Sequence, residues 1–170
     1  MSIDGAPALA LADITCRFAA RQGGGEPYTA VANATLNVAK GEFVSVVGPT
    51  GCGKSTLLNV AAGLLEPSSG TVEVFGERLM AAAGVNRRAG YMFQADALMP
   101  WRTGIGNVVA GLEFRGVPAA QATAQGEEWL RRVGLAGFGD RYPHQMSGGM
   151  RKRLALAQTL ILSQIGRAHV

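Results

Sequence analysis

Apolar residues alternate along 11–18 (Leu-Ala-Asp-Ile-Thr-Cys-Arg-Phe), with Ile14, Cys16 and Phe18 falling on one side. That is the period of a half-buried strand. Residues 31–38 alternate again, and Thr71-Val-Glu-Val-Phe75 forms a third such run after the turn Pro67-Ser-Ser-Gly70. Between the first two runs, residues 21–27 hold three consecutive glycines and read as a loop. Two denser apolar runs predict buried strands: Glu42-Phe-Val-Ser-Val-Val47, preceded by the Lys40-Gly41 turn, and Gly90-Tyr-Met-Phe93, which ends at Gln94. Helical stretches are expected at 55–62, closed by Gly63, at 107–114, and at 119–133, which begins after Pro118 and stops near Gly134. Residues 137–145 read as a loop, and a last helix starts near Ser147. No internal repeat interrupts this order of strands first and helices after, an α/β pattern with attached subdomains.

Gly48-Pro-Thr-Gly-Cys-Gly-Lys-Ser55 fits the phosphate-loop pattern G-x-x-x-x-G-K-[ST] without a mismatch and lies between an expected strand and an expected helix. Glycines let main-chain N–H groups turn inward around phosphate oxygens, and the helix N-terminus adds partial positive charge. The candidate nucleotide-binding residues are therefore Gly48, Pro49, Thr50, Gly51, Cys52, Gly53, Lys54, Ser55 and Thr56. Lys54 would reach the β- and γ-phosphates, and the Ser55 hydroxyl would complete a Mg²⁺ shell. The pattern predicts a nucleoside triphosphate.

Composition narrows the partners. With 48% hydrophobic and 16% charged residues over 170 positions, the chain carries enough apolar surface for a core. No apolar run reaches the roughly 18 residues needed to span a bilayer. The first residues lack the basic start and apolar stretch of a signal peptide, so a cytoplasmic location is expected. Cys16 and Cys52 are too few for a disulfide framework, and Cys52 reads as a small filler inside the phosphate loop. The net charge of +4 comes from scattered short basic pairs, which argues against nucleic acid as a partner.

A second motif, Met146-Ser-Gly-Gly-Met150, precedes the helical run Arg151-Lys-Arg-Leu-Ala-Leu-Ala-Gln158. By itself Ser147 reads as a helix N-cap. Together with the phosphate loop and Gln94 between them, the chain resembles ATP-binding-cassette (ABC) ATPases from about residue 9 to about 163. The resemblance implies a P-loop NTPase core with an antiparallel β subdomain and an α-helical subdomain, ATP and Mg²⁺ as cofactors, and hydrolysis of ATP in intact members. It places the β subdomain and P-loop core at about 9–94, the helical subdomain at about 95–145, and the signature motif with its helix at 146–163. Phe18 or Tyr28 resembles the aromatic on which adenine stacks, Phe18 being preferred at the end of the first strand. Gln94 resembles the glutamine that helps hold Mg²⁺ and reports nucleotide state. Ser147, Gly148 and Gly149 resemble the residues that meet the γ-phosphate held by a second ABC ATPase subunit in a head-to-tail dimer.

The stretch Phe93-Gln-Ala-Asp-Ala-Leu-Met-Pro-Trp-Arg-Thr103 is similar to ATP-binding subunits of bacterial importers for nitrate, sulfonates or taurine. That implies transmembrane permease subunits as partners, a periplasmic solute-binding protein indirectly, and a place on the inner face of the cell membrane. Leu98, Met99, Trp101 and Arg102 become candidates for the permease contact. One departure stands out. Relatives continue into a hydrophobic strand ending in Asp-Glu, the Walker B pair; here Ile165-Gly-Arg-Ala-His-Val170 is not an apolar strand, and 164–170 reads as a non-native tail in which His169 is no catalyst. The expectation is a C-terminally truncated cassette with part of its core missing and no catalytic residue present, hydrolysing ATP poorly. The alternatives are a non-hydrolytic ATP-binding fragment or an ABC ATPase for another solute.

Overall fold

The computed structural model describes residues 6–19, 27–79, 89–95 and 97–162. The expected loop at 21–27, apart from Pro27, and the tail with His169 lie outside the described residues. The chain divides into two compact units, Met1–Arg87 and Arg88–Val170.

In the first unit, β1 (Leu9–Phe18), β2 (Tyr28–Val38), β3 (Ser69–Val74) and the short β4 (Glu77–Arg78) form one antiparallel sheet in the order β2-β1-β3-β4. Helix α1 (Lys54–Ala61) follows the phosphate loop and stops two residues before Gly63, which takes φ 71°. Leu11, Ile14, Cys16, Val60 and Val72 make the core, with Val31 and Leu57 packed on its edge. Leu11 and Ile14 could not share a face of a regular strand, since side chains alternate with period two. A bulge resolves this. The register of β1 against β2 shifts between Leu11 and Ile14, and Asp13 takes φ 53°. Side chains fasten the bulge: the Asp13 amide donates to Thr35 Oγ1 (3.1 Å), and the Asn33 amide donates to Thr15 Oγ1 (3.1 Å).

In the second unit, α2 (Gly104–Phe114), α3 (Ala119–Arg132) and α4 (Gly148–Leu160) enclose Val108, Leu112, Leu130, Leu135, Met146, Leu154 and Ile161. Helix α2 begins before the expected 107, because Thr103 caps it by accepting from the Gly106 amide (3.3 Å). Two glycines in that first turn hide it from a propensity argument, but Gly104 is buried and a Cβ there would stand 3.0 Å from Met146 Cε. Packing selects glycine where helix propensity does not.

Two expected strands are corrected. Residues 42–47 and 90–93 carry no strand assignment, and they are not buried. Phe43 is 93% exposed and Val47 84%, while Met92 and Phe93 are about half exposed. Their composition suits a strand, but strand structure needs a ladder of inter-strand hydrogen bonds, and among the described residues only β1–β4 form one.

Gly70 tests the bulge. It sits at φ 102°, and a Cβ there would lie 2.6 Å from the carbonyl oxygens of both Ala12 and Asp13. Gly70→Ala is expected to destabilise the sheet by about 2 kcal/mol or more, read as a lowered urea midpoint with unchanged slope.

Candidate nucleotide-binding site

The phosphate loop is a loop with ordinary exposure over 48–52, closed at its far end by α1. Its curvature rests on Gly51 (φ 84°) and Gly53 (φ 91°) in the left-handed region. Gly53 is the residue before α1, and a Cβ on it would approach the Ala30 carbonyl oxygen to 2.3 Å. The loop can therefore press against β2 only through a glycine. The Lys54 ammonium crosses the loop and donates to the carbonyls of Gly48 (2.9 Å) and Pro49 (2.6 Å), with Cys52 Sγ at 3.5 Å. Those carbonyls hold the cation at the mouth, where an anion would draw it. No acidic residue occupies the first turn of α1, so nothing there opposes negative charge at its N-terminus.

Phe18 and Tyr28 are directly paired across β1 and β2. Opposite residues of an antiparallel pair project from the same face, so the two rings are neighbours at one end of the sheet. Phe18 is 40% exposed and Tyr28 57%. The Tyr28 hydroxyl donates to the Gly51 carbonyl (3.4 Å), tying that end of the sheet to the phosphate loop. The two aromatics between which the sequence leaves the adenine-stacking role open are thus side by side.

These groups suit a triphosphate with its magnesium. Mg²⁺ keeps most of its waters and binds through phosphate oxygens and one or two hard protein oxygens. Ser55, exposed in the first turn of α1, presents such an oxygen. Among the described residues no group of three or more His, Cys, Asp or Glu side chains could hold a metal by themselves. Cys52 is exposed, and its sulfur lies within the loop, 2.8 Å from where a Cβ on Gly48 would stand.

The second unit holds the other predicted residues. Gln94 is exposed in the 89–95 segment, and its carbonyl accepts from Lys152 Nζ on α4. Ser147 is the N-cap of α4, accepting from the Met150 amide through its Oγ (3.3 Å). A hydroxyl that accepts in this way keeps its own hydrogen to donate. Gly148 and Gly149 follow in the first turn. A Cβ on Gly149 would meet nothing within 4 Å, and one on Gly148 only the Arg151 guanidinium at 3.9 Å. Packing among the described residues gives no reason for either glycine.

The candidate partner surface divides. Leu98 packs on the helical core, whereas Trp101 is 73% exposed. Arg102 lies along α2, bonded to the Gly106 carbonyl (3.2 Å) and paired with Glu113 (2.6 Å). What the sequence reading missed is Asn107. It is fully buried; its Oδ1 accepts from the Met99 amide (2.7 Å), and its Nδ2 lies within 3.1 Å of the carbonyls of Met99, Arg102 and Thr103. An asparagine at a core register of an apolar helix was the available signal.

Comparison with known proteins gives the family. The family model described as ABC transporter matches residues 31–164. The chain belongs to the ABC transporter family. An uncharacterised ABC transporter ATP-binding protein of Methanocaldococcus jannaschii is 44% identical over 136 residues, covering 80% of this chain and 50% of that protein. The taurine import ATP-binding protein TauB of Pseudomonas aeruginosa is 45% identical over 126 residues, 74% of this chain and 47% of TauB. The sulfate/thiosulfate import ATP-binding protein CysA of Gloeobacter violaceus is 45% identical over 133 residues, 78% of this chain and 39% of CysA. This ABC chain thus spans about half the length of the curated relatives it matches. Among solved structures, the dimeric ATP-binding cassette MJ0796, in a post-hydrolysis state bound to ADP and Pi, superposes with a TM-score of 0.80 at 31% identity. The match covers 90% of this chain and 69% of that one. The fold is that of an ABC ATPase, with an antiparallel sheet and a helical part.

The two thiols provide a check on the loop. Burial pushes the Cys16 thiol up from its ordinary value, with a backbone hydrogen bond at Ser68 acting the other way. Cys52 is exposed. In the folded ABC chain a maleimide should label Cys52 at least about tenfold faster than Cys16, by mass spectrometry of timed samples.

Proposed function

We propose that these residues bind ATP with Mg²⁺ as the nucleotide-binding part of an ABC importer subunit. The observation that carries the reading is the phosphate loop: two left-handed glycines, a lysine held across the mouth, and a helix N-terminus behind it without an acidic side chain. In this reading Gly48–Thr56 wrap the phosphates, and Lys54 exchanges its carbonyl partners for β- and γ-phosphate oxygens. Ser55 and Gln94 complete the shell of Mg²⁺, and Phe18 with Tyr28 offers the adenine platform. Bound magnesium supplies charge neutralisation on the phosphates.

The signature residues act on a second copy of an ABC subunit. Exposed glycines with nothing beside them cost helix stability, roughly 1 kcal/mol each against alanine. That cost is explained if another molecule's phosphate must approach the main chain at Gly148 and Gly149. Ser147 keeps a hydrogen to donate to it. Pairing with a second subunit is supported by the dimeric cassette that the chain resembles.

The importer reading is supported by relatives named for import of taurine, sulfate/thiosulfate and Fe³⁺ ions. Trp101 and its clamped loop then face a transmembrane permease on the inner side of the membrane, with a periplasmic solute-binding protein delivering a small solute such as taurine, another sulfonate or nitrate. No helix among the described residues is long and apolar enough to cross a membrane. Turnover of ATP is assigned to the whole subunit, and binding to the residues described above.

Titration with a fluorescent ATP analogue and Mg²⁺ tests the grip. Lys54→Ala should weaken binding at least about tenfold, equivalent to about 1.4 kcal/mol, without lowering the thermal midpoint. Equal affinity in the variant would remove the phosphate loop from the site. For the second surface, Gly149→Ala should leave folding stability within about 1 kcal/mol, on the stabilising side, and leave ATP binding intact. In the full-length subunit the same change should abolish ATP-driven dimerisation by size-exclusion chromatography.

A further inference from the structure

From its fourth residue helix α4 carries three consecutive cations, Arg151, Lys152 and Arg153, and each donates to main-chain carbonyls of a different segment. Arg151 reaches back to Met146 (2.9 Å). Arg153 reaches Val133 and Gly134, at the end of α3 (3.1 Å each). Lys152 reaches Gln94, across a sequence separation of 58. Successive helical residues point about 100° apart, so one short run can fasten three neighbours at once.

The Lys152 bond is one end of a longer contact. Two turns further along the same face of α4 stands Thr159, and a Cβ on Gly90 would lie 2.9 Å from its Cγ2. Residues 90–94 therefore run antiparallel along α4, held close at Gly90 by the absence of a side chain and at Gln94 by an ammonium. Lys152 in turn lies little more than one helical turn from Ser147, about 7.5 Å of axial rise. A helix over that distance is a rigid bar.

We propose that Lys152 is a positioning residue that ties the main chain of Gln94 to the signature helix, so that Gln94 and Ser147 move as one body. The bond is to the Gln94 carbonyl, which leaves the side-chain amide available for other work. Its functional meaning rests on the reading above, in which Gln94 meets the chain's own nucleotide and Ser147 meets the partner's. Any displacement of the Gln94 main chain would then be delivered directly to the serine, without passing through the apolar core of α2 and α3.

Lys152 is exposed, so its replacement should not unfold the chain. Backbone ¹⁵N order parameters, compared among the parent chain, Lys152→Met and Lys152→Arg, test the tie. Methionine keeps an unbranched stem but cannot donate. The expected result is a fall at the amides of 92–95 from about 0.85 to below about 0.6 in Lys152→Met. Values in α2 and α3 and the thermal midpoint should not change, and Lys152→Arg should restore order. Unchanged order at 92–95 in Lys152→Met overturns the proposal, whatever the nucleotide does. A separate readout bears on the functional reading. MgATP should shift the amides of 147–149 in the parent chain, and Lys152→Met should at least halve those shifts while those of 48–56 persist. Shifts confined to 48–56 in the parent chain would count against Gln94 as a nucleotide reporter; equal shifts at 147–149 in parent and Lys152→Met would overturn the tie as the route.

Discussion

A main-chain carbonyl that leaves regular secondary structure must find a donor, and at the loops of this protein side chains of adjoining regular elements supply several of those donors. Lys54 of α1 holds Gly48 and Pro49. Tyr28 of β2 holds Gly51. Asn107 of α2 holds Met99, Arg102 and Thr103, and α4 holds Gln94, Met146, Val133 and Gly134. Every irregular segment assigned to function is fastened this way. The segments keep exposed side chains for other molecules, while their carbonyls anchor them to helices and a strand.

The donors differ in permanence. Asn107 is fully buried, and a buried amide with its partners removed costs about 1–3 kcal/mol, so its turn is a fixed part of the fold. The Arg102–Glu113 pair beside it is partly exposed and contributes at most about 1 kcal/mol. Trp101 thus owes its presentation to asparagine more than to the ion pair. Lys54 stands at the other extreme. An exposed ammonium on a flexible stem exchanges partners readily, and a phosphate competes well against two neutral carbonyls.

Much of this could be read from the chain, and the failures have physical causes. Alternation located β1, β2 and β3 because β1 and β3 bury residues and β2 half-buries its inward positions, but the bulge at Asp13 reverses the phase inside β1, and no local signal announces it. The phosphate loop was legible because its glycines, lysine and serine sit in one continuous stretch. Residues 42–47 and 90–93 have strand composition without a ladder, since pairing belongs to two segments and not to one. Asn107 looked like a helix start and is a core clamp. The Lys152–Gln94 bond joins residues far apart in sequence, which neither periodicity nor spacing can bring together.

The three cations of α4 also have an electrostatic sense. Positive side chains near a helix N-terminus oppose the macrodipole, and α4 has no acidic residue in its first turn to compensate. A helix built for stability alone would carry the opposite charge there. The positive end of the dipole is left without an acidic side chain in that turn, so the end that displays Ser147 keeps the dipole's own positive field. An approaching polyanion would feel that field at a range set by the Debye length, about 8 Å at physiological salt, before any hydrogen bond could form.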